Sequence, residues 1–136
     1  MSIYGLYQDI DENSVSSSIH SIEEKIEKSS SDSVSFKDSL IDDIWTADSK
    51  SNLISFFTNV DSIVYNDIKN NLVKIQKICS LISTYKSNEK AAIENKNKIA
   101  VARQNNLSTT ELEQVLYNQE KEMENCINQI SNLGGV

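Results

Sequence analysis

The sequence predicts an all-α protein, and three observations carry that prediction. Its 136 residues include 3 glycines and no proline, so the punctuation of a strand-and-turn fold is missing, whereas long helices need none. Apolar residues recur at steps of three and four instead of alternating. Hydrophobic residues make up 38% and aromatics 7%, which suits one small domain that buries little per residue. The expected organisation is an N-terminal arm, residues 1–13, followed by a single helical domain, residues 14–136. Its three antiparallel helices are expected at about 14–44, 48–103 and 109–133.

The arm carries Ile3, Tyr4, Leu6 and Tyr7 ahead of the acidic run Asp9 to Glu12, a pattern that reads as a tail ordering on contact. From Ser14 the residues Val15, Ile19, Ile22 and Ile26 fall on one helical face, with Glu23, Glu24, Lys25, Glu27 and Lys28 on the other. In the run Ser29 to Ser35 five of seven residues are serine, which competes for backbone hydrogen bonds, so the helix is expected to fray or break there. Phe36, Leu40, Ile41 and Ile44 then restore helical spacing up to Trp45. Thr46 or Asp48 is suited to cap the next helix.

That second helix carries the longest stripe: Leu53, Phe57, Val60, Val64, Ile68, Leu72, Ile75, Cys79, Ile82 and Tyr85, in steps of three and four. Ile54, Phe56, Ile63, Ile78 and Leu81 widen it beyond a two-stranded zipper toward a bundle. Past Tyr85 the sequence turns polar, and the spacing leaves open whether residues 86–106 continue the helix. Gln104 to Asn106 read as a turn. Ser108 with Glu111 and Thr110 with Glu113 are capping-box spacings that start a third helix near Thr109. Its stripe is Leu112, Leu116, Met123, Cys126 with Ile127, Ile130 and Leu133, with Gln119 in the gap, and Gly134 and Gly135 end it.

Charge and motifs narrow the function. With 13 Lys and Arg against 20 Asp and Glu, the net charge of −7 argues against nucleic-acid binding, which rests on clustered cations. No stretch approaches the about 18 apolar residues of a membrane span, and the polar helix faces are acidic or mixed, so neither membrane insertion nor surface binding is expected. The N-terminus has neither a cationic start nor an apolar run of signal-peptide length. The expectation is a protein cytoplasmic when made, whose export would use no cleavable signal.

The lone His20 sits at the edge of its stripe as a surface residue. Cys79 and Cys126 read as apolar helix positions, and no nucleotide, metal or hydrolase motif occurs. The paired acids Asp42–Asp43, Glu23–Glu24 and Glu122–Glu124 read as solvated faces. No enzyme, cofactor or metal site is therefore expected. Protein–protein contact remains, with Phe57, Val60, Val64, Ile68, Leu72, Ile75 and Ile82 as the candidate partner interface.

The arrangement helix, Trp45-Thr46-Ala47, helix resembles the WXG superfamily, the small helical-hairpin proteins of type VII secretion. There a Trp-x-Gly turn joins two helices; Trp45 matches the tryptophan, and Ala47 stands where glycine is expected. KDSLIDDIW before the turn and SKSNLISFFTNVDSI after it also resemble family sequences. The resemblance covers about Ser14 to Glu89 and implies a WXG-like antiparallel hairpin extended by a third amphipathic helix into an elongated bundle. Tyr85 and Glu89 match the family's Tyr-x-x-x-Asp/Glu export signal, and i to i+4 puts both on one helical face. Among longer relatives the chain looks like an accessory partner of LXG-domain toxins. It would pair with a toxin's N-terminal helices, another WXG-like chain or its own copy. As the alternative, heptads alone permit a structural coiled-coil assembly protein unrelated to secretion, and a small helical enzyme or regulator is the remaining class.

Overall fold

The computed structural model describes residues 2–39 and 47–134, with side chains described for residues 2–35 and 51–134. Its elements are α1 (Glu12–Ser39), α2 (Ala47–Val60), a π-helical turn (Asp61–Tyr65), α3 (Asn66–Gln104) and α4 (Thr110–Asn132). All regular structure among the described residues is helical, and the protein is all-α.

Three local features differ from the sequence reading or complete it. First, α1 runs unbroken through Ser29 to Ser35. The helix penalty of serine is only about half a kcal/mol per residue, too little to break a helix carried by the turns on either side. Second, the chain passes from α2 through the π turn into α3 without leaving helical structure. The turn falls where Val60, Val64, Ile68 and Leu72 advance by four three times running. Each step of four carries an apolar side chain about 40° around a regular helix, and one wider turn absorbs the accumulated drift. Third, α3 continues through the polar segment to Gln104, with Ala92, Asn95, Ile99 and Ala102 buried along it.

The end of α3 is closed by Asn106 at φ 55°, with Leu107 N–H donating to the Ala102 carbonyl at 2.8 Å and Asn106 N–H to that of Arg103 at 3.1 Å. This is a Schellman closure with asparagine in the left-handed position. The expected capping boxes do not form. Thr109 is the N-cap of α4 without a side-chain cap bond, Ser108 Oγ lies 3.5 Å from Thr110 Oγ1, and Glu113 pairs with Arg103 instead. At the other end Gly134 adopts φ 91° and its N–H donates to the Ser131 carbonyl at 3.0 Å, which stops the helix.

The chain divides into two compact units, Met1–Asn13 with Lys77–Val136, and Ser14–Gln76. Residues 1–13 thus group with the distant segment Lys77–Val136. In the first unit α3 and α4 form an antiparallel hairpin around Tyr85, Ala92, Met123 and Cys126. Gln119, the gap in the α4 stripe, accepts a hydrogen bond from the buried Asn95 amide at 2.8 Å. In Ser14–Gln76 the core is Ile19, Ile26 and Leu72, with Val15 and Tyr65 packed against it.

Candidate functional site

Tyr85 and Glu89, the pair singled out by spacing, lie together on α3, and the N-terminal arm is seated over them. Tyr85 is completely buried. Its hydroxyl accepts the Leu6 N–H at 3.3 Å, and its one proton serves the Ile3 carbonyl or Glu89 Oε2, 3.0 Å away. Glu89 Oε2 also accepts the Gly5 N–H at 2.6 Å. Gly5 has φ 74°, a left-handed conformation that other residues adopt at a cost. Burial, followed in smaller measure by the Glu89 carboxylate, pushes the Tyr85 phenol up to about 12 against the opposing effect of the Leu6 hydrogen bond.

Aromatic contacts complete the seat. The Tyr7 ring meets that of Tyr85 edge-on, with centroids 4.9 Å apart at 85°. Lys96 Nζ stands 3.9 Å from the centre of the Tyr4 ring, within cation–π range. Ile3, Tyr4 and Tyr7 pack against the core of Tyr85, Ala92, Met123 and Cys126.

Where the arm joins α1, Lys86 binds the Ile10 carbonyl and, at 2.7 Å, Glu12 Oε2, while Ser83 Oγ donates to Glu12 Oε1 at 3.4 Å. The Lys86 hydrogen bond is the main reason that the Glu12 carboxyl is held below the usual carboxylate range. Sequence reasoning located Tyr85 and Glu89 but missed Ile3, Gly5, Leu6 and Tyr7 as their partners, and it missed the Glu12–Lys86 pair. The available signal was a glycine set among closely spaced aromatic and aliphatic residues in a segment without helical periodicity.

The other candidates fare unevenly. Trp45 and Thr46 of the expected turn lie outside the described residues, and Ala47 is the first residue of α2. Of the expected partner interface, Val64, Ile68 and Ile75 are exposed, and Phe57 and Val60 are half-buried. Leu72 and Ile82 are instead consumed by the chain's own fold. Leu72 is buried with Ile19 and Ile26, and Ile82 is buried in the unit containing Tyr85. A single stripe in sequence therefore serves two separate cores, because burial follows the nearest opposing helix and not the heptad.

His20 is exposed, and among the described residues its acidic neighbours are Glu23 and Glu24 of its own helix, at 3.9 and 3.6 Å. Cys79 and Cys126 are buried free thiols, and burial pushes both thiol pKa values up, away from the reactive thiolate. Among the described residues no three His, Cys, Asp or Glu side chains are grouped to hold a metal ion, and no helix is long and apolar enough to cross a membrane. No protein-family model, curated protein or solved structure matches the chain.

Proposed function

We propose that this chain is a non-enzymatic helical partner protein of a type VII secretion system. It would pair through α2 and the start of α3 with the N-terminal helices of an LXG-type toxin or with another WXG-like chain. The observation that carries the pairing is the run of uncovered apolar side chains within Ser14–Gln76. Phe56 and Ile63 are 60% and 63% exposed, and Val64, Ile68 and Ile75 add to them. Ile68 and Ile75 are seven residues apart on one face of α3, the spacing at which a second helix packs knobs into holes. Apolar groups left in water at heptad spacing gain most from a partner helix.

The secretion context rests on the resemblance around Trp45 and on Tyr85 with Glu89, and the protein is proposed to be made in the cytoplasm and exported with its partner. Co-expression with an LXG-type N-terminal helical domain, followed by size-exclusion chromatography, tests this. Joint elution that is lost in the Ile68→Asp/Ile75→Asp variant is the expected result, and a chain that elutes as a monomer in both cases overturns the reading. The same heptad spacing favours a second reading, a structural coiled-coil assembly protein, for which the chain alone would form large oligomers and ignore the toxin domain.

A further inference from the structure

The arm is bound in the manner of a peptide ligand. Three hydrogen bonds fix Ile3 to Leu6 on α3 through the arm's main chain: those of the Ile3 carbonyl and of the Gly5 and Leu6 amides. Side-chain identity enters through the Tyr7 ring against Tyr85 and the Tyr4 ring under Lys96. Residues 2–11 form no helix or strand, and Gly5, Leu6, Gln8, Asp9 and Ile10 are exposed. Beneath it, the α3–α4 hairpin is held by contacts that do not involve the arm, among them Asn95 with Gln119 and Arg103 with Glu113. A segment read mainly through its backbone, lying on a hairpin with its own ties, is exchangeable for another of the same shape.

We propose that the surface of α3 and α4 anchored by Tyr85 and Glu89 is a peptide-binding site. Ile3–Tyr7 is its resident ligand, and an extended segment of a partner protein takes its place, presenting two aromatic rings three residues apart around a glycine. Lys86, which grips Ile10 and Glu12, keeps the displaced arm tethered at its base. The site lies in the other unit from the α2–α3 stripe, and the inference stands on its geometry without the secretion reading. For Tyr85 and Glu89 it has a direct consequence: the pair is covered until the arm lifts.

A fluorescent synthetic peptide of residues 2–11, SIYGLYQDID, titrated into the full-length chain and followed by anisotropy, tests the proposal. A resident ligand lowers apparent affinity in proportion to the fraction of open sites. Tyr4→Ser with Tyr7→Ser in the chain, which weakens only the resident arm, is therefore expected to tighten binding by at least about tenfold. Adding Glu89→Ala should reverse that gain. Absence of saturable binding to the folded double variant overturns the proposal.

The wild-type chain supplies a second measurement that needs no variant. In amide hydrogen exchange, Gly5 and Leu6 are expected to exchange at least about a hundredfold faster than Tyr85 and Met123, because the arm opens without the hairpin. Equal protection would make the arm an inseparable part of the core and overturn the proposal. Dimerisation by reciprocal exchange of arms, seen by sedimentation, would assign the site to a second copy and overturn the assignment to a partner.

Discussion

The two units hold their helices together in different ways. In Met1–Asn13 with Lys77–Val136, Tyr85, Ala92 and Met123 have no exposed surface and Cys126 has 1%, and polar anchors tie the surrounding segments to one another. In Ser14–Gln76 the buried apolar side chains among those described are three, Ile19, Ile26 and Leu72, while Phe56, Ile63 and Val73 are each at least 60% exposed. One unit satisfies its apolar stripes internally, and the other leaves a large part of its stripe in water. Heptad spacing alone does not separate these cases, since the same long stripe runs through both. What differs is the neighbour: α3 meets α4 and the arm in one, and mainly α1 in the other.

The largest expected effects test that contrast by cavity formation. Met123→Ala should destabilise by about 3 kcal/mol, because a fully enclosed side chain leaves a hole its neighbours cannot fill. Leu72→Ala should cost less, about 2 kcal/mol, since its surroundings include half-exposed residues free to collapse. Urea titration followed by circular dichroism measures both, and equal costs would break the comparison.

An effect comparable to that of Leu72→Ala is expected at alkaline pH. The unfolded Tyr85 phenol releases its proton near its ordinary value of 10 and the folded one near 12, so the unfolded chain ionises first as pH rises. Stability from this group is intact below pH 10, falls between 10 and 12 by on the order of 2 kcal/mol, and levels off above. Tyr85→Phe should flatten that part of the curve, and a wild-type curve that is already flat would sever the link to Tyr85. The smallest effect belongs to the open unit. Phe56→Ser and Ile63→Ser should each change stability by no more than about 0.5 kcal/mol, because little burial is lost. A markedly larger loss would mean that the stripe is already covered.

Several local features are legible in the sequence. Ile19 and Ile26, Met123, Cys126 and Ile130 were readable as core from their spacing, and all five are buried. Gln119 was visible only as a gap in a stripe; its bond to Asn95 pairs residues 24 positions apart that no local pattern connects. The serine run looked like a break because local propensity is weak, and the helix on either side overrides it. Tyr85 and Glu89 were found as a spaced pair, but their setting was not. Gly5 and Leu6 reach them from about eighty residues away, through backbone amides whose identity leaves no mark in the side-chain sequence.

By itself, then, the sequence determined what repeats along the chain: helical periodicity, the absence of breakers and the acidic charge. These follow from each residue's relation to its third and fourth neighbours, and they are enough to make the protein all-α. Only the tertiary structure decided which side of each stripe is spent. It buries Leu72 and Ile82 in separate units, leaves Ile68 and Ile75 in water, and lays the arm over Tyr85. The physical reason is that burial is a property of pairs of surfaces, and long-range pairing is set by which backbones meet.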